Sequence, residues 1–179
     1  MNIPLTQGYF ASVDPEDFDR FGGRNWAANV QTKSGIVVRV YAFRGVARPD
    51  GRTKMVYLHR EIMGAQEGDP GIDHRDRNTL NCRRSNLRWA TMAQNLSNRI
   101  HPKSVANGWI GVYRNKSGSY RGRISVNGHV YFTKAVRTPL EAAIDRDRLA
   151  LLHHGEFATL NFPESTGLIC EGKFHGTAE

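Results

Sequence analysis

Cysteine is scarce: Cys82 and Cys170 are the two in 179 residues. No pair has the short spacing of a zinc knuckle, which excludes a disulfide framework and a cysteine-built metal site. Long apolar runs are missing too. No run approaches the 18 residues of a membrane span, and residues 1–10 lack a basic segment followed by an apolar one. The sequence therefore reads as a soluble, intracellular, reduced protein with no membrane partner. Acidic residues are outnumbered, 17 Asp and Glu against 25 Lys and Arg, for a net charge of +8. Divided at residues 54, 105 and 164, the chain carries +3, +3, +3 and −1. The surplus is not a detachable basic tail; such a spread suits a surface that follows a polyanion, although charge alone equally admits a merely basic protein. With 39% hydrophobic and 23% charged residues, the chain is neither disordered nor collagen-like.

Along the first part, short apolar runs alternate with turn signals, predicting strands over residues 8–13, 25–30, 36–41 and 54–58. Asp14 is placed to cap a helix that has Pro15 at its first position and Asp17 three residues on. A second helix, over residues 59–63, is expected to stop at Gly64. From residue 71 to 99 apolar residues thin out and Asp, Asn, His and Arg crowd together. A stretch so poor in core formers is expected to be organised by polar contacts or by a metal. Thr91 and Gln94 have capping-box spacing, which puts Asn95 one turn into a helix.

Within that stretch Asp73-His74 is followed by Asn86, twelve residues after His74, and by Asn95, nine further. In this composition, Asn at both offsets arises by chance at about 0.5%. Gly71-Ile72-Asp73-His74-Arg75-Asp76-Arg77-Asn78, then Ser85-Asn86-Leu87-Arg88-Trp89-Ala90-Thr91 and Gln94-Asn95, resemble the HNH endonucleases in their His-Asn-Asn form, found in phage and intron-encoded homing nucleases. The resemblance implies a ββα-metal core: two short strands, a long loop and a helix around one divalent cation. It implies that His74 is the general base, that Asn86 pins the hairpin and orients the His74 ring, and that Asp73 and Asn95 are the metal ligands. The oxygen donors suit Mg²⁺ or Mn²⁺ over zinc. Arg77 stands where the family has Gly, and Cys82, where Asn is common, reads as packing. His59 reads as structural and Trp89 as a core anchor.

Residues 101–108 read as a linker. Strand-like runs follow over residues 109–114, 120–126 and 129–134, with Asn127-Gly128 a strong hairpin signal. Thr138-Pro139-Leu140-Glu141 opens a helix expected to end at His153 or His154 before Gly155, with Leu140, Ala143, Ile144, Leu151 and Leu152 largely on one face. Gly111-Val112, residues 118–124, Glu141-Ala142-Ala143 and residues 155–163 resemble the plant Apetala or ethylene-response-factor domain, in which the sheet face opposite the helix enters the DNA major groove. Alternation puts Tyr120, Gly122, Ile124 and Val126 on one face and Arg121, Arg123, Ser125 and Asn127 on the other. Tyr113, Arg114, His129 and Tyr131 are expected to join Arg121, Arg123 and Ser125 on DNA.

The reading is an α+β protein: a β-rich module over 1–54, a nuclease core over 55–105, a DNA-binding domain over 106–164 and a tail over 165–179. The leader either contacts DNA or braces the hairpin. The expected activity is metal-dependent hydrolysis of duplex DNA by a monomer that nicks one strand, leaving 5′-phosphate and 3′-hydroxyl ends. A DNA-binding regulator with a degenerate nuclease region is the alternative.

Overall fold

In the computed structural model the described residues are 1–98 and 108–163. The expected tail over 165–179 and Cys170 lie outside them, as does the expected linker except for Gly108. The chain divides into two units, Met1–Met92 and Ala93–Glu179, made of small, mainly antiparallel sheets and short helices. No described helix is long and apolar enough to cross a membrane.

In the first unit β1 (Asn2–Pro4) pairs with β2 (Phe10–Ser12), and helix α1 (Pro15–Phe21) follows. A three-stranded sheet orders β3 (Ala27–Lys33), β4 (Ile36–Ala47) and β5 (Thr53–Tyr57), and β5 runs directly into α2 (Leu58–Ile62). Then comes the hairpin of β6 (Gly71–His74) and β7 (Leu87–Ala90), and α3 (Met92–Ser97) is next in the chain.

One core serves the leader and the polar stretch together: Ile3, Val13, Trp26, Val40, Leu58, Ile62, Ile72, Cys82 and Leu87 belong to a single buried cluster. The polar stretch has too few apolar residues to bury a core alone, and the leader supplies the rest. Burial pushes the Cys82 thiol up to about 12, with the Asp76 charge adding to it, so this residue packs and does not react.

Polar contacts add to the bracing. Ser12 N donates to Leu80 O at 2.8 Å and Cys82 N to Ser12 O at 2.8 Å, while Thr79 Oγ1 donates to Val40 O at 2.6 Å. Asp14 occupies the N-cap position of α1 but makes no side-chain cap bond. Its carboxylate instead accepts from Arg84 N at 2.8 Å, and the buried Asp17 accepts from the Arg84 guanidinium at 2.7 Å. Both acids expected to serve the helix end thus reach across to the loop between β6 and β7. Trp89, expected in the core, is 40% exposed on β7, although its cross-strand partner Ile72 and Leu87 on the same face are buried.

The second unit orders β10 (His129–Phe132), β9 (Tyr120–Val126) and β8 (Val112–Arg114) in one sheet covered by α4 (Pro139–His154). Thr138 and Glu141 make the reciprocal capping box, and Asn127 (φ 50°) with Gly128 (φ 85°) forms the tight turn between β9 and β10. β8 begins later than expected because Gly111, at φ 69°, turns the chain, leaving Trp109 to pack on Phe162 with ring centroids 5.1 Å apart.

The buried face of α4 is Ala142, Ala143, Arg146, Asp147, Leu149 and Ala150; Leu140 and Leu152, expected on the core side, are exposed. Ala142 and Arg146 of that face lie almost on β9. A Cβ at Gly122 would stand 2.5 Å from Arg146 Cβ and 2.9 Å from Ala142 O. Gly122→Ala is therefore expected to destabilise this unit by about 1–3 kcal/mol, read as a lower urea midpoint. Buried Asp147 ties the end of the module to the helix, accepting from Asn161 N at 2.6 Å and Phe162 N at 2.9 Å.

Candidate active site

Strand register places the key acids and bases. Asp73 lies directly across from Arg88, and His74 across from Leu87. Successive residues point to opposite faces of a strand, so Asp73 and His74 part company. The Asp73 carboxylate, 5% exposed, receives Arg88 Nε at 2.9 Å and Nη2 at 2.7 Å on its Oδ2 atom, and Arg88 is itself 7% exposed. The buried His74 ring sits edge-on to His59 of α2, with centroids 5.1 Å apart, and to Tyr41 of β4 at 6.4 Å. Tyr57, at the end of β5, stacks on His59 at 5.7 Å.

The loop between the strands is held by Asn86. Its Nδ2 donates to Asp76 Oδ1 at 2.9 Å and to Asn81 O at 2.7 Å, and its Oδ1 accepts from Asp76 N at 3.0 Å. Asn81 Nδ2 donates to the other Asp76 oxygen at 2.7 Å, and Asn78 N donates to Asp76 Oδ1 at 2.8 Å. Burial works against the Asp76 charge, but these three donors and the nearby His74 together hold its carboxyl below the usual range. Arg77 takes φ 66°, a left-handed backbone that costs an L-residue about 1–2 kcal/mol; the turn is the one for which the resemblance has Gly.

Burial pulls the His59 imidazole down to about 3, and the charges of His74 and Arg60 add to it. Burial likewise pulls His74 down to about 4, against Asp76 and Asp73, whose charges favour the imidazolium. Both rings are neutral at pH 7. Unfolded histidine titrates near about 6.5, so below that value the unfolded chain binds the extra protons and acid favours it. The stability these rings confer is complete above pH ~6.5 and is lost as pH falls toward the folded values. The urea midpoint is expected to decline from pH ~6.5 toward 4, at up to about 1.4 kcal/mol per pH unit for each ring. His59→Leu should flatten that decline; an unchanged profile would mean that His59 is not held neutral by burial.

Asn95 lies on α3, half-buried. Among the described residues no three His, Cys, Asp or Glu side chains gather as a metal-binding group. On the second unit, Tyr113 pairs with Arg121, and Arg123 Nη1 donates to Tyr113 Oη at 2.8 Å with its guanidinium 5.7 Å from the ring. Ser125 shares that open face by alternation.

Three of the residues expected there do not lie on it. Tyr131 pairs with Ile124 and packs on His153 of α4, with centroids 4.3 Å apart; His129 pairs with Val126 on the same helix-facing side. Arg114 alternates with Tyr113 and so shares the side of buried Val112. In β10 the residues opposite Ser125 and Arg123 are Val130 and Phe132, which sequence reasoning missed because the β9–β10 register decides the face. Arg88 and Asp76 were missed for the same reason: both stand inside the motif, and only strand pairing and loop folding show what they hold.

Residues 56–97, running from β5 through α2 and the hairpin to α3, match the family model described as HNH endonuclease. The chain is similar to an uncharacterised HNH endonuclease of Acanthamoeba polyphaga mimivirus, 35% identical over 109 residues that make up 58% of this chain and 56% of that protein. It thus spans just over half the length of that relative. No solved structure matches at a significant level.

Proposed function

We propose that this protein is a metal-dependent DNA endonuclease that nicks one strand of a duplex. The observation that carries the reading is the β6–β7 hairpin, which lies inside the stretch similar to HNH endonucleases and bears Asp73 and His74 beside a loop fastened by Asn86. His74, neutral at pH 7, accepts a proton from the attacking water. Asn86 keeps the loop, and with it the backbone of β6, in one arrangement. On the likeness to HNH endonucleases alone, Asp73 and, separately, Asn95 are each candidate oxygen donors to a divalent cation. A carboxylate and a carboxamide are hard oxygen donors that would suit Mg²⁺ or Mn²⁺. When bound, the ion supplies charge neutralisation at the phosphate and the departing 3′ oxygen. On the second unit, Tyr113, Arg121, Arg123 and Ser125 grip the duplex, with guanidinium groups suited to phosphate or guanine. One such site cuts one strand, so a monomer suffices for nicking.

A second reading is favoured by one observation: Asp73 is already paired with Arg88, as in a DNA-binding regulator that has given up cleavage. Supercoiled plasmid separates the two. The nuclease converts it to open circle with Mg²⁺ or Mn²⁺ and not with EDTA, whereas the regulator binds duplex with steep salt dependence and leaves the plasmid supercoiled under every condition.

A further inference from the structure

We infer that Arg88 is a resident counter-charge for Asp73, one that a divalent cation must share, so that cation occupancy depends on the phosphate of bound DNA. This rests on Asp73 being a cation ligand, as proposed above. Three features point to it. Arg88 stands directly opposite Asp73 in the strand register, so the backbone itself presents the guanidinium to the carboxylate. Two of its nitrogens, at 2.9 and 2.7 Å, converge on the single atom Oδ2, which fixes the guanidinium as well as its charge. Both side chains are buried, where a carboxylate is not left without a positive partner.

Arginine stays protonated at every relevant pH. A cation approaching Asp73 therefore meets a second positive charge that cannot leave by deprotonation. Screening is weak for a buried pair, so the repulsion is felt in full until a phosphate brings negative charge of its own. Occupancy is low without DNA and rises when the scissile phosphate arrives. A plain structural staple between strands would share the geometry but would not set the cation affinity.

Thermal melting of the full chain under MnCl₂ titration, started from EDTA, tests this with wild type, Arg88→Met, Arg88→Lys and Asp73→Asn. Arg88→Met is expected to melt lower in EDTA and to reach half its Mn²⁺ response at a concentration at least tenfold below wild type. Arg88→Lys, which keeps a charge but loses the fork, should fall between them and carries the test if Arg88→Met does not fold. A short duplex oligonucleotide should lower the half-saturating Mn²⁺ of wild type more than that of the Arg88 variants. Equal half-saturation in wild type and both Arg88 variants overturns the counter-charge. An Asp73→Asn protein that responds to Mn²⁺ as wild type does, or no response in any of the four even with duplex, overturns the assignment of Asp73 as a ligand instead.

Discussion

Replacing His74 by Ala is expected to slow plasmid nicking by about 10²–10⁴-fold while leaving duplex affinity unchanged. The imidazole is the one side chain on the hairpin that is both neutral at pH 7 and able to take a proton from water. The proposed role is not extended to its neighbours. His59 is held further down, to about 3, and lies on α2. Tyr41 and Tyr57 pack around the two rings. The separation of rate from affinity matters, because a collapsed hairpin would lower both. Gel shift on duplex DNA beside the nicking time course reads the two quantities independently. Equal nicking by the His74→Ala protein would remove the general-base assignment.

The second large effect is expected at Asn86. Its side chain makes three hydrogen bonds, to the Asp76 carboxylate, the Asp76 amide and the Asn81 carbonyl, and it is itself buried. Alanine removes all three and leaves their partners to find water in a loop held from several sides. At about 1 kcal/mol per bond, Asn86→Ala should cost about 3 kcal/mol, seen as a lower urea midpoint of the first unit. Nicking should fall by about 10²-fold, since a displacement of the order of 1 Å in a positioning element suffices for that. Asn86→Asp tests the charge separately. It keeps the shape but sets a second carboxylate against Asp76, so it should destabilise more at pH 7 than at pH 4, where protonation relieves the repulsion. Indifference of both stability and nicking to Asn86→Ala would show that the loop is held by its other contacts alone.

Where a structural instruction is contained in a few neighbouring residues, it was legible. The capping box at Thr138 and Glu141, with Pro139 behind the cap and Gly155 at the other end, marks both limits of α4. Asn127-Gly128 marks the turn between β9 and β10, because only residues that tolerate positive φ can make it. The spacing of Asp73, His74, Asn86 and Asn95 is likewise a property of the chain alone, as is the alternation that sets Gly122 and Ile124 apart from Arg121 and Arg123.

What escaped was always a choice of partner. Asp14 and Asp17 read as helix-end chemistry, and their carboxylates went instead to Arg84, seventy and sixty-seven residues away. Leu140 and Leu152 read as core, but the face that α4 buries carries Ala142, Ala143, Arg146, Asp147, Leu149 and Ala150, and the sheet it packs on decides which face turns inward.

The sequence by itself determined the local elements, the spread of positive charge and the identity of the residues available for chemistry. Each of those follows from backbone preference or residue type within about one helical turn. Only the tertiary structure decided that the leader and the motif share one core, that Asp73 faces Arg88 while His74 faces His59, and that Tyr131 turns toward α4. Those outcomes depend on strand register, and a shift of one residue would send every side chain to the other face without changing the sequence at all.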